Sequence, residues 1–152
     1  SALNMQKTLN MLAQTCSVFV SAAAVADWRP ASEATQKIKK DGSGDVPTLS
    51  FIENPDILAG IAASARAQSG ALYCVGFAAE SHDLVQHAQT KRVRKGVPLL
   101  VGNIGPDTFG QDDNALLLVD EQGTTELPRA SKLVLARQLV QEIARRVPRT
   151  AA

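Results

Sequence analysis

The chain is poor in aromatics and cysteine and carries no excess of either charge. Only 4% of its 152 residues are aromatic, too few for the interleaved stacking platforms that hold single-stranded nucleic acid. Sixteen lysines and arginines face fifteen acids, a formal net charge of +1. A dedicated nucleic-acid binder normally shows a marked basic excess, so no nucleic-acid partner is expected. No apolar run approaches the ~20 residues needed to span a bilayer. The opening SALNMQKTLN lacks the charge-then-apolar pattern of a signal peptide. Both absences point to a cytoplasmic protein with no membrane partner. The two cysteines, Cys16 and Cys74, sit in apolar runs and read as buried free thiols. His82 and His87 lack paired ligand spacing with either, so no metal site is assigned. The chain has no GxGxxG and no Walker-type loop, and its short glycine sequences at 42–44 and 102–105 lack the required strand–turn–helix setting.

What is present alternates between helix and strand. Ala2, Met5, Leu9 and Leu12 recur at helical spacing over residues 2–14. Cys16–Ala24 is a continuous apolar run that reads as a fully buried strand. Val25–Asp45, with Pro30 and the DGSGD at 41–45, reads as a long loop. Thr48–Ile52 predicts a strand. Asn54-Pro55-Asp56 predicts a helix start: a capping Asn, a proline at the first helical position and an acid in the first turn. Ala71–Ala78 is another buried strand. Ser81 or Asp83 caps a helix ending at Gly96, whose last turns carry Lys91, Arg92, Arg94 and Lys95. Pro98–Val101 is a short strand. Asn114–Val119 and Thr124–Leu127 form a hairpin, Ser131 caps a final helix, and Arg145–Arg149 reads as a frayed, solvated tail. The alternation predicts an α/β domain with a largely parallel sheet and a C-terminal β-hairpin.

Ligands of such sheets sit beyond the carboxyl ends of the strands. Asp27 follows the first strand, Phe77 and Glu80 end another, and Asn103 follows a third. Lys37, Lys39 and Lys40 cluster after Asp27, and the segment 54–58 offers a helix start. An acid that accepts from a base or sugar, with lysines that neutralise phosphates, is a nucleotide-site pattern. Ordinary solvated charge is the competing reading. Phe77 competes with a core role, Glu80 is open between a metal or substrate ligand and a helix cap, and Asn103 between a site and a turn.

Five motifs occur in order: AAAVADWRP at 22–30, KIKK at 37–40, NPDILAG at 54–60, VGFAAE at 75–80 and KRVRKG at 91–96. With Asn103 and the DNAL at 113–116, they make the chain resemble bacterial phosphopantothenoylcysteine synthetase, the second domain of the bifunctional decarboxylase/synthetase flavoprotein of coenzyme A biosynthesis. The resemblance covers nearly the whole chain. Trp28 departs from the tyrosine or phenylalanine often found there and keeps the aromatic plane.

The resemblance implies a Rossmann-like three-layer fold and a ligase. CTP, with Mg²⁺, activates 4′-phosphopantothenate as an acyl-cytidylate, and the cysteine amine then displaces CMP. Carried over by position, Asp27 contacts the cytidine and Lys37 begins a K-x-K-K flap over the site as the catalytic candidate. Pro55, Asp56, Ile57 and Leu58 line the nucleotide, Phe77 packs on it, and Lys91 and Lys95 reach the phosphates. The four-residue separation of these lysines places them on one helix face. Asn103 and Glu80 are secondary candidates.

The family's upstream Gly- and Ser-rich segment has no match within residues 1–152, so the chain is expected to be a partial, N-terminally truncated synthetase domain. As a fragment it is expected to bind CTP weakly and turn over poorly; the alternative is a non-catalytic nucleotide-binding or dimerisation module. No FMN is expected in this portion, since the decarboxylase half carries it. A homodimer is implied, with the Asn114–Leu127 hairpin as a contact. A nicotinamide-dependent oxidoreductase is the rival class. It is disfavoured by the missing GxGxxG and by Tyr73, which is followed four residues later by Phe77 rather than lysine.

Overall fold

The structure, a computed structural model, describes residues 1–32, 34, 36, 48–80, 84–104 and 111–148; the side chains of Ala79, Glu80, Leu84 and Ile104 lie outside that description. The elements run α1 (Ala2–Leu12), β1 (Val18–Ser21), β2 (Trp28–Pro30), β3 (Phe51–Glu53), α2 (Ile57–Ala62), α3 (Ala65–Gln68), β4 (Tyr73–Glu80), α4 (Leu84–Lys95), β5 (Leu99–Ile104), β6 (Asp113–Val119), β7 (Thr124–Ser131) and α5 (Lys132–Arg146). Five strands form a sheet in the order β1-β4-β5-β6-β7. β1, β4 and β5 are parallel, and β6 and β7 add antiparallel.

The sheet is covered on both faces, which is why its strands read as continuous apolar runs. Successive side chains point to opposite faces. Cys74, Ala78, Leu100, Leu117 and Val119 therefore join Ile57, Leu58 and Ile61 of α2 in one core cluster, against which Met5 and Leu9 of α1 also pack. Tyr73, Val75, Leu99, Val101, Leu116 and Leu118 join Leu135, Leu139 and Ile143 of α5 in the other. Ser131 caps α5 as its position predicts, its Oγ accepting from Val134 N at 3.4 Å. Gly96 ends α4 at a positive φ of 65°, the left-handed conformation that glycine adopts at no steric cost.

Several sequence expectations change. The first strand is short, and exposed Val18 and Val20 alternate with half-buried Phe19 and Ser21 rather than being buried across Cys16–Ala24, because only its α2-side face is covered, where Phe19 packs against the core. Cys74 is buried and Cys16 half-buried, and both are free thiols. Burial, with Cys16 nearby, pushes the Cys74 thiol up to about 11, so it packs as an apolar group. The stretch after β1 is not all loop. Trp28–Pro30 pairs antiparallel with Phe51–Glu53 in a separate ribbon, where Pro30 is tolerated at a strand end. Arg145 and Arg146 are not a frayed tail. They close the last turn of α5, both pairing with Glu142, and Arg146 Nε also donates to Asp120 at 2.9 Å. The hairpin offers little apolar contact surface for a second copy: β6 is paired on both sides and buried from Asn114 to Val119. The large exposed apolar residues include Trp28, Phe51 and Ile52 of the ribbon.

Gly76, in the middle of β4, governs how α2 sits on the sheet. A Cβ there would stand 2.7 Å from Leu58 Cδ2 and 2.9 Å from Leu100 Cδ1. Leu58 and Leu100 are themselves buried, so neither has open space to retreat into. Gly76→Ala is expected to destabilise the fold by about 1–3 kcal/mol through overpacking. Adding Leu58→Ala should recover part of that loss relative to Leu58→Ala alone. Urea unfolding of the two singles and the double checks the coupling, and an additive double would refute the contact.

Candidate functional site

The residues that converge lie on the α2–α4 side of the sheet. Asp56 is the N-cap of α2, its Oδ1 accepting from Ala59 N at 3.1 Å. The cap is thus Asp56 rather than Asn54, and Pro55 stands before the helix instead of at its first position. The difference arises because Asn54 is used elsewhere. Its Nδ2 donates to Ala26 O at 2.8 Å, its Oδ1 accepts from Arg29 Nη1 at 3.0 Å, and its backbone N–H donates to Asp27 O at 2.7 Å. These bonds bring the Asp27 loop against the α2 start, although the two segments are 27 residues apart in the chain (54 minus 27).

Lys95 reaches across from α4 and forms an ion pair with Asp56 Oδ2. Lys91 lies one turn earlier on the same helix, half-buried like Lys95. The Lys95 side chain is 21% exposed and the Asp56 side chain 46%, so the pair is partly open to solvent. Burial pushes the Asp56 carboxyl up. The Lys95 hydrogen bond, the Ala59 N–H, and the charges of Lys95 and Arg94 outweigh it and hold Asp56 below the ordinary aspartate range. Ile57 and Leu58 contribute packing: both are buried in the α2–sheet core.

Phe77 and Asn103 stand on the other face. Phe77 packs against the core cluster that α5 covers. Asn103 lies within β5 rather than after it, and its Oδ1 accepts from Asn114 Nδ2 at 3.0 Å. Asn114 is buried, and its own Oδ1 accepts from Ala115 N at 2.8 Å beside a register irregularity in β6. Glu80 ends β4, opposite Ile104 of β5. Lys37, and with it the whole KIKK, lies outside the described residues. So do Ser81 and Asp83. The structure therefore brings Asp56 and Lys95 together beside the Asp27 backbone, with Lys91 one turn from Lys95 on α4, and sets Phe77 and Asn103 on the other face of the sheet.

Sequence reading missed the Arg29–Asn54 contact and the buried Asn103–Asn114 pair. The signal for the second was a polar residue opening an otherwise apolar strand, Asn114 before Ala-Leu-Leu-Leu-Val. The first had no local signal. A cleft of about 680 Å³ lies elsewhere, lined by Gln68, Tyr73, Arg92, Gly96 and Pro98 at the strands' amino ends, and holds none of the predicted residues. The predicted residues meet instead at the Asp56–Lys95 pair beside the Asp27 loop, so that region is the candidate site.

A parallel core extended by an antiparallel hairpin and covered by helices on both faces defines a Rossmann-like α/β domain. Residues 1–147 match the family described as DNA/pantothenate metabolism flavoprotein C-terminal domain, and the chain belongs to that family. It is 39% identical over 150 residues to the coenzyme A biosynthesis bifunctional protein CoaBC of Escherichia coli (strain K12), covering 96% of this chain and 36% of that protein. It is 41% identical over 152 residues to the protein of the same name from Mycobacterium bovis, covering 94% of this chain and 36% of the relative. The chain thus spans little more than a third of the length of these relatives. Its fold is similar to the crystal structure of the C-terminal domain of CoaBC, with a TM-score of 0.70, 26% identity, and coverage of 94% of this chain and 61% of that one. It also shares its fold with a Cab2 mutant in complex with phosphopantothenate-cysteine, at a TM-score of 0.64 and 18% identity, covering 88% of this chain and 45% of that one.

The depressed Asp56 pKa fixes the sign of a pH effect. A carboxyl whose folded pKa lies below its unfolded value, about 3.9, contributes stability above that value and loses it as pH falls through the folded pKa. Lys95→Ala is therefore expected to lower stability at neutral pH by less than about 1 kcal/mol, since the exposed pair is screened by solvent. The gap to wild type should close in acid. Asp56→Ala also loses the helix cap and should cost about 1 kcal/mol, which Asp56→Asn largely restores. Thermal or urea unfolding between pH 7 and pH 2 measures each; a gap that widens in acid would contradict the assignment.

Proposed function

We propose that this domain serves coenzyme A biosynthesis as the phosphopantothenate–cysteine ligase, with CTP as the activating nucleotide. The observation that carries the reading is the Asp56–Lys95 pair beside the Asp27 loop, with Lys91 one turn from Lys95 on α4, in a member of this family. In the first step a carboxylate oxygen of 4′-phosphopantothenate attacks the α-phosphorus of CTP, and the bond to the pyrophosphate oxygen breaks. In the second the cysteine amine attacks the acyl carbon, loses a proton, and CMP departs with the acyl C–O bond electrons. Both steps gather negative charge on phosphate oxygens, and fixed cations lower that cost.

Each residue then has a task. Asp27 accepts from the cytidine, and residues 55–58 shape the wall along which the nucleotide lies. Lys91 and Lys95 meet the phosphates as point charges without requiring bidentate geometry. Lys95 enters the reaction already neutralised by Asp56. A triphosphate that takes Lys95 therefore exchanges one anionic partner for another and leaves no bare ammonium in the empty site. Lys37 serves as the catalytic cation over the activated acyl group; Phe77 and Asn103, on the other face of the sheet, support β4 and β5 rather than touching the nucleotide. Among the described residues no three His, Cys, Asp or Glu side chains gather to hold a metal. Mg²⁺, when bound with the triphosphate, would offset part of its charge beside Lys91 and Lys95, and no step here is routed through it. No helix among the described residues is long and apolar enough to cross a membrane, which fits soluble substrates in the cytoplasm. A second copy completes the assembly as a homodimer, for which the exposed Trp28, Phe51 and Ile52 offer more apolar surface than the hairpin does. In the longer protein an FMN-dependent decarboxylase domain would supply the neighbouring step.

The test is pyrophosphate release by the intact protein with CTP, 4′-phosphopantothenate and cysteine. Lys91→Ala and Lys95→Ala are each expected to lower kcat/KM by about a hundredfold, and Asp27→Asn to weaken CTP binding with little change in folding. Binding of NADPH with no response to CTP would overturn the reading.

A further inference from the structure

Arg29 and Asn54 do more than hold a turn together. Arg29 lies in β2, and its Nη1 donates at once to Glu53 O at 2.7 Å and to Asn54 Oδ1 at 3.0 Å. Asn54 passes the connection on, through Nδ2 to Ala26 O at 2.8 Å and through its backbone N–H to Asp27 O at 2.7 Å. Asn54 thus binds the carbonyls of two consecutive residues, the second being Asp27 itself. Two residues further along the chain comes Asp56, partner of Lys95.

The same two residues close the base of the ribbon. β2 leaves at Pro30 and β3 returns at Phe51, and in sequence the segment between them contains Lys37. Strands of three residues are too short to set their own orientation. The orientation must come from contacts such as these. Arginine suits the task because one guanidinium nitrogen carries two hydrogens for two acceptors at a fixed angle.

We propose that Arg29 and Asn54 are a positioning pair: they lock the Asp27 loop and the ribbon base against the Asp56 helix start, so that nucleotide affinity depends on two residues that need not touch the nucleotide. The inference rests on the nucleotide reading above and deepens it. Misplacing a binding group by an ångström is enough to forfeit much of its contribution.

The experiment is CTP titration and steady-state kinetics of the intact protein carrying Arg29→Ala, Arg29→Lys, Asn54→Ala, Asn54→Asp and the Arg29→Ala/Asn54→Ala double. Arg29→Ala and Asn54→Ala should each weaken CTP binding about tenfold, while the KM for cysteine stays unchanged. Arg29→Lys, which keeps a donor for both acceptors, should recover most of the affinity on a folded protein. Asn54→Asp keeps the acceptor for Arg29 but loses the donor to Ala26, and should still weaken CTP. Because the two act as one unit, the double should bind CTP about as well as the weaker single. A double whose loss is the product of the singles, or an Arg29→Ala protein that binds CTP within about twofold of wild type, overturns the pair alone. A wild type that ignores CTP overturns the nucleotide reading and this inference with it.

Discussion

Leu58 lies against the bare backbone of Gly76 in the centre of β4, at a distance no Cβ would permit. That contact seats a helix of six residues on the sheet. A helix so short has little stability of its own; it exists because Ile57, Leu58, Ile61 and Ala62 are buried. Once α2 is seated, its first turn is fixed in space, and the Asp56 cap comes within reach of Lys95 on α4. The chemistry-bearing end of the domain therefore depends on an apolar contact that has no chemistry itself.

Two kinds of polar interaction then build on that seat. The Asp56–Lys95 pair is partly exposed and contributes little stability, but it holds a lysine in place while keeping its charge neutralised. The Asn54 bonds are short-range and directional, and they bind the Asp27 loop to the same helix start. On the α5 face, Arg146 with Asp120 and Glu142 ties the last turn of α5 to the β6–β7 turn. There Asp120 also accepts from Gln122 N and Gly123 N.

Much of the architecture was legible because burial on both faces writes itself as apolar runs. Ala71–Ala78 and Asn114–Val119 announced β4 and β6, and Ser131 announced α5 through its cap. β1 was read as too long and too buried because an edge strand and a central one share the same apolar composition. β2 escaped notice because its stability comes from Phe51–Glu53, more than twenty residues away, and Pro30 is a locally correct signal for a turn. The Asn-Pro-Asp sequence contained the right helix start but an ambiguous cap. Asn54 and Asp56 are both good caps, and only the presence of Ala26, Asp27 and Arg29 around Asn54 assigns the role to Asp56.

The amino-acid sequence by itself determined the layer order, the parallel core with its hairpin, the family, and the residue types available to a nucleotide, because these follow from local periodicity and from motifs contiguous in the chain. Tertiary structure alone decided which of those residues meet. It joined Asp56 to Lys95, tied Asn54 to the Asp27 loop and to Arg29, and set Phe77 and Asn103 on the opposite face of the sheet. The reason is the period of two along a strand and the distance between partners. Which face a side chain takes, and which remote backbone carbonyl an asparagine finds, depend on register and packing that no contiguous stretch of sequence encodes.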